Sequence, residues 1–310
     1  MLPRDPDDSD DPEDEVEEAP AGDDSYDEGP AIDPEDLEDF DGDDDEEEED
    51  GDGEESEDEG EDGEPAAKKT KKKKDDDEDE VVEFAKLPLP SLDELRSALD
   101  WAFEKEEEAT PEFLDRCAKH ALLVQEINRQ MNLTKIVDPK EIAAKHYFDC
   151  WQTARSLPLL GRTVLDIGTG AGYPGVPIAM IEENARVHLM DSTQKKADFV
   201  ARSIEELELR NASAEWGRAE EHLLRNRYDV CVMRAISSVR ENVRLLRKVR
   251  HSLYDLVMMK GSSWSREVRA GEREAERLGF RLDAIVEYEL PGEMGGRAVL
   301  VYRAPGGQGR

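Results

Sequence analysis

The chain has 310 residues and a formal net charge of −38, and that charge is gathered at one end. Residues 1–80 hold 43 Asp/Glu against seven Lys/Arg, while the remaining 230 residues hold 36 acids and 34 bases. This excludes an evenly acidic protein. It leaves an acidic tail joined to a nearly neutral body the size of one α/β domain with an appendage.

The tail, densest at "DGDDDEEEEDGDGEESEDEGEDGEP", has almost no large apolar residues and is expected to be disordered over 1–86. A lysine run at 68–74 is flanked by acids that neutralise it, which reads as a solvated spacer. Such a tail is hostile to RNA; it reads as a solubilising segment, and a sharper expectation is that it folds back over a basic RNA surface and raises binding specificity. Cys117, Cys150 and Cys231 are too scattered for a zinc set and suggest buried packing in a reducing compartment. With no run of about 18 apolar residues, a soluble cytoplasmic protein without a membrane partner is expected.

The folded part begins near Ser91, where "SLDE" has the form of a capping box. A second helix starts at Thr110 with Pro111 in its first turn. Its apolar stripe runs through Leu114, Cys117, Ala121, Val124, Ile127 and Met131, a core face by spacing. A third helix is expected over 138–156. These helices make up an N-terminal subdomain over 87–160.

From residue 161 to 304 the pattern changes. The strand-like runs "TVLDIG", "RVHLMD", "SAEWG", "YDVCVMRA" and "LYDLVMMKG" alternate with helical segments near 174–183, 193–209, 218–226 and 237–250. That alternation indicates a mostly parallel sheet with helices on both faces. After a helix at 264–278, "RLDAIVEYEL" and "RAVLVYRA" suggest an antiparallel closing pair, for seven strands in all.

The turn after the first strand reads Asp166-x-Gly168-x-Gly170-x-Gly172. A phosphate-cradling loop needs a lysine after the last glycine of its motif, and Val176 stands there. The dinucleotide fingerprint fails as well, because Tyr173 replaces its third glycine. Asp191 ends the second strand 19 residues beyond Gly172, where a carboxylate accepts from ribose hydroxyls. A nucleoside without phosphate fits best, and S-adenosylmethionine is one, with Asp166 placed to hold the ammonium of its tail. Arg234, ending the fourth strand, is a candidate for cofactor or substrate contact.

In this combination the chain resembles the bacterial small-subunit ribosomal RNA guanine-N7 methyltransferases, the glucose-inhibited division protein B family. The resemblance spans about 90–303 and rests on "MNLTKIVDPKEIAAKHYFDC", "VLDIGTGAGYPGVPIA", "LMDSTQKKADFV", "GRAEE", "VMRAISSV" and "MMKG". It implies a Rossmann-like class I methyltransferase fold, S-adenosylmethionine as cofactor, and small-subunit rRNA or the 30S particle as substrate. It also implies cofactor contacts at Gly168, Tyr173 and Arg234, with Ala219 and Glu220 near the adenine. Lys195 and Arg218 match basic positions associated with activity. His146 and Lys260 match family positions without an assigned role, and the family often has serine where Cys150 stands.

Guanine N7 already carries an in-plane lone pair, so no catalytic base is expected. Positioning should carry the reaction, and it can supply about 7–11 kcal/mol. Basic residues available for RNA are Lys135, Lys140 and Lys145, and Arg240, Arg244, Arg247, Lys248 and Arg250. The alternatives are a methyltransferase of the same fold acting on something other than rRNA, and an inactive acidic-tailed binding protein.

Overall fold

The computed structural model describes residues 88–307, and the expectations for the acidic tail and its lysine run fall outside them. Helix α1 (Leu92–Ala102) opens on the expected capping box: Glu94 N–H donates to Ser91 Oγ at 3.2 Å, and Ser91 N–H to Glu94 Oε2 at 2.8 Å. Helix α2 (Pro111–Asn128) starts under a Thr110 cap and buries Leu114, Cys117, Ala121 and Val124, as the apolar spacing predicts. All three cysteines are free and buried.

The third helix covers the expected stretch but is not one regular α-helix. It divides into α3 (Pro139–Ile142), a π-helical turn (Ala143–Phe148) and α4 (Asp149–Arg155). Asp149 N–H reaches back to Ala144 O, five residues away, which widens the turn. His146, Tyr147, Phe148, Asp149, Cys150 and Trp151 are all buried, so this segment is enclosed on every side rather than amphipathic.

The seven expected strands are β1 (Thr163–Ile167), β2 (Arg186–Asp191), β3 (Ala212–Trp216), β4 (Tyr228–Arg234), β5 (Leu253–Gly261), β6 (Arg281–Glu289) and β7 (Gly296–Arg303). They form one sheet in the order β3-β2-β1-β4-β5-β7-β6. Neighbours from β3 through β5 are parallel, whereas β7 runs antiparallel to both β5 and β6. The intervening helices are α5 (Gly175–Ile181), α6 (Gln194–Glu206), α7 (Ala219–His222), α8 (Val239–Leu245) and α9 (Trp264–Arg277).

Alternation along each strand feeds two cores. Val164, Val187, Val230, Val232, Val257 and Val299 pack on the face covered by the N-terminal helices. Leu165, Cys231, Met233, Leu256, Met258 and Leu300 pack on the opposite face with residues of α8 and α9. The chain leaves β1 for β2 on one side and β4 on the other, so the carboxyl ends of β1 and β4 flank the crevice where open α/β sheets hold ligands. No described helix is long and apolar enough to cross a membrane.

Candidate functional site

Beyond β1, the backbone takes positive φ at Gly168 (67°), Gly170 (60°) and Gly172 (94°). At Gly172 an added Cβ would lie 2.8 Å from Val176 Cγ2, so packing also demands glycine there. At Gly170 the nearest atom would be the Gly168 carbonyl oxygen at 4.0 Å. Glycine at 170 therefore serves backbone conformation and leaves open space above the chain.

Two carboxylates brace this loop. Asp166 is wholly buried, and its Oδ2 accepts from Thr169 Oγ1 at 2.6 Å and Gly175 N–H at 2.8 Å. Its Oδ1 has no partner, and burial pushes the carboxyl up to about 6. Asp191 Oδ2 accepts from Gly170 N–H at 2.9 Å, its Oδ1 from Thr193 N–H at 2.8 Å, and its carbonyl from Gly217 N–H at 3.1 Å. One residue thus ties the glycine loop, the approach to α6 and the turn into α7 into a continuous lip.

These residues fit S-adenosylmethionine. Each Asp191 oxygen holds one donor and keeps an acceptor site for a ribose hydroxyl, and Asp166 Oδ1 is an unmatched acceptor. No Lys or Arg stands in 168–176 to take a phosphate. Asp166 lies beneath the loop surface, however, and its visible work is to hold Thr169 and Gly175.

Tyr173, an expected cofactor contact, also lies under the loop, 6% exposed, with its hydroxyl donating to Tyr147 Oη at 3.0 Å. The ring is a platform. His146 stacks on it at 4.4 Å between centroids, 16° from parallel, and the Arg234 guanidinium lies 5.6 Å from its centre. Arg234 Nη2 donates to Lys145 O at 2.6 Å and to His146 Nδ1 at 2.9 Å, and its Nε lies 3.5 Å from Asp149 Oδ2.

Because Arg234 can only donate, His146 Nδ1 must accept. The ring proton then sits on Nε2, 3.2 Å from Thr134 Oγ1. Burial, reinforced by the Arg234 charge, drives His146 well below the ordinary histidine range, so the ring is neutral. Thr134 is fixed in turn by Asn128, whose Oδ1 accepts from Leu133 and Thr134 N–H and whose Nδ2 donates to Thr134 O.

Asp149, Asn128, Tyr288 and Arg297 have no assigned role in the sequence reading. Asp149 is 3% exposed, accepts from Tyr288 Oη at 2.5 Å and has Arg297 Nε at 4.0 Å. Its one local signal is its position three residues after His146; Tyr288 and Arg297 come from paired positions on β6 and β7, far along the chain. Just past Arg234, Ala235 holds a φ of 52°, a costly conformation for a residue with a Cβ.

A cleft of about 560 Å³ opens at the ends of β4 and β5, walled by Lys145, Asp149, Arg234, Ile236, Lys260 and Arg297, among others. Ile236 joins it to the glycine loop, since a Cβ on Gly168 would sit 3.1 Å from Ile236 Cδ1. Lys260 is held by Ser237 O at 2.5 Å and Glu267 at 2.8 Å. A larger depression of about 960 Å³ lies by the starts of β2 and β3, at the opposite end of the strands from the loop. Ala219 (buried) and Glu220 (half-buried) sit on α7 at the crevice lip, and Lys195 and Arg218 stand exposed. Neither of these two basic residues lines the cleft.

A sheet of this order, a glycine loop after its first strand and a carboxylate closing its second define a class I S-adenosylmethionine-dependent methyltransferase. The profile of the rRNA small subunit methyltransferase G (GidB) family matches residues 114–292, and the chain belongs to that family. The protein of that name from Clostridium botulinum (strain ATCC 19397 / Type A) is 36% identical over 178 residues, covering 54% of this chain and 72% of its own. The Solibacter usitatus (strain Ellin6076) relative is 33% identical over 189 residues, covering 60% and 88%. A SAM-dependent methyltransferase structure from Aquifex aeolicus overlaps 51% of this chain and 90% of its own at 20% identity and a TM-score of 0.39, too loose to add to the strand order. The protein is an rRNA methyltransferase, and S-adenosylmethionine is its cofactor.

Proposed function

We propose that the protein methylates N7 of one guanine of small-subunit rRNA, in the cytoplasm, as free RNA or within the 30S particle. The carrying observation is the cleft between β4 and β5, which shares Ile236 with the glycine loop and has Lys145, Arg234, Lys260 and Arg297 in its walls. S-adenosylmethionine supplies the methyl group. The Gly168–Gly172 backbone and Asp191 hold its nucleoside, Ala219 and Glu220 border the adenine, and Asp166 keeps the loop in shape for the amino-acid tail.

The target guanine enters the cleft unpaired, as RNA readers usually require. Arg234, its direction set by Asp149, His146 and Lys145, forms the wall between cofactor and base. His146 has both ring nitrogens engaged and Asp149 is paired with Arg234, so neither is available as a base. The N7 lone pair requires none. Methylation leaves the purine cationic, and the Asp149 and Glu267 carboxylates in the cleft walls offset that charge. Exposed Arg240, Arg247 and Lys248 on and after α8 offer phosphate contacts, whereas Arg244 is paired with Glu274.

The test is transfer of labelled methyl from the cofactor to purified small-subunit RNA and to 30S particles, with the modified base mapped. A single N7-methylguanosine is expected. Label at another atom, or on a protein or small molecule in preference to RNA, would overturn the reading.

A further inference from the structure

Three side chains on the sheet face away from Asp191 have no part in the chemistry above. His188 lies in β2, Glu215 in β3, and His222 ends α7. His188 pairs in register with Ser213 and Met190 with Glu215, so His188 and Glu215 share one face of the sheet, and α7 brings His222 over it. We propose that His188, Glu215 and His222 bind a divalent transition-metal ion of the zinc type, which clamps α7 to the edge of the sheet.

The spacing supports an ion. His188 Nε2 is 3.1 Å and His222 Nδ1 3.4 Å from Glu215 Oε2, and all three donor atoms lie within 4.8 Å of one another. A zinc ion takes nitrogen and oxygen ligands at about 2.0–2.2 Å, which puts neighbouring ligands of a tetrahedron about 3.3 Å apart. Two imidazoles and one carboxylate suit zinc, cobalt or nickel rather than magnesium or calcium.

The remaining ring nitrogens carry the second argument. His188 Nδ1 lies 2.8 Å from Ser213 Oγ, and His222 Nε2 lies 2.8 Å from Tyr228 Oη. Metal-ligating histidines regularly use the far nitrogen in this way, to fix tautomer and orientation. Both hydroxyls accept as well as donate, so they serve the rings whether Glu215 or an ion sits between them. The rings now stack, 4.9 Å between centroids and 16° from parallel. Ion capture turns them so that their in-plane lone pairs converge. The Glu215 side chain is half exposed, which leaves a further coordination position to water.

The consequence falls on α7. At four residues it is too short to hold itself, and it carries Ala219 and Glu220 at the cofactor lip. An ion joining His222 to β2 and β3 anchors the adenine wall from behind; this part rests on the cofactor assignment, whereas the ion site itself does not.

The experiment titrates the full-length protein with Co²⁺ in excess Mg²⁺, which occupies the acidic segment's carboxylates. Visible ligand-field absorption reports imidazole-bound cobalt, and Zn²⁺ should displace it. One equivalent is expected, with affinity lowered at least ~10-fold in Glu215→Gln and in His222→Ala and lowered in Tyr228→Phe. His251→Ala should leave it unchanged. Circular dichroism and metal-free melting establish that each variant folds. Equal binding by wild type and both ligand variants, or no cobalt absorption in the wild type, overturns the site. If the site binds but Zn²⁺ leaves S-adenosylhomocysteine affinity unchanged, the ion stands and the clamp on the adenine wall falls.

Discussion

At Asp166 two physical effects oppose each other. Hydrogen bonds from Thr169 and Gly175 favour the charged carboxylate, but complete burial disfavours it by more, and the group titrates at about 6. An unperturbed aspartate titrates near ~3.9, so the folded chain holds this proton to higher pH than the unfolded chain does. The stability it confers is fully present below about pH 4 and is lost as pH rises through about 6, on the order of 3 kcal/mol. Relative to Asp166→Asn, the wild type should lose about that much across this window in urea unfolding series; parallel pH profiles would refute the assignment. His146 gives a second prediction. His146→Phe keeps the stack on Tyr173 but removes the acceptor for Arg234 and the donor to Thr134. A lost hydrogen bond to a charged group is worth about 1.5–3 kcal/mol. Single-turnover methyl transfer should therefore slow by roughly 10–100-fold, while His146, held neutral, contributes no titration to wild-type activity between pH 6 and 8. A rate within twofold of wild type would remove Arg234 orientation from the account.

At the scale of elements, α8 and α9 meet closely through Gly271. An added Cβ there would lie 2.9 Å from Val239 Cγ1 and 3.0 Å from the Arg240 backbone nitrogen. Helix propensity alone favours Gly271→Ala by up to about 1 kcal/mol, but overpacking costs about 1–3 kcal/mol and backbone cannot yield as a side-chain tip can. The variant should be net destabilised in thermal unfolding, and a raised Tm would contradict the packing. Elements of this kind were legible in different degrees. Short strand-like runs alternating with helical segments marked the seven strands, and the glycine loop with Asp191 was readable because it is local. The insertion of β7 between β5 and β6 was not, since strand order depends on pairings far apart in sequence. The π-turn left no trace because all its residues but Lys145 are buried and show no helical stripe. Helix α7 stops at His222 rather than near 226, where Asn226 Nδ2 donates back to His222 O at 2.9 Å. The Arg234 network draws on segments near 128–149, 173, 234 and 288–297, and no spacing within one segment announces it.

For the whole molecule, charge is the dominant asymmetry. Residues 1–80 carry a balance of −36 and the rest −2, so a nearly neutral body shares its chain with a strongly anionic segment. Protein–RNA affinity is built on phosphate neutralisation and falls with salt, so an anionic segment on the same chain is expected to compete with RNA for Lys and Arg. Deleting 1–80 should tighten rRNA binding at low salt, with the difference fading once the Debye length shortens to about 3 Å near 1 M salt. Identical affinity and salt slope in the two proteins would exclude that competition. On the proposed reading, the bare backbone at Gly168–Gly172 grips a nucleoside beside the Arg234 cleft. A crystal structure with S-adenosylhomocysteine tests it most directly. The expected result places the ribose on Asp191 and the sulfur facing the cleft walled by Arg234 and Ile236. Ligand seated in the larger depression at the other end of the strands, or none bound at the glycine loop, would contradict the account.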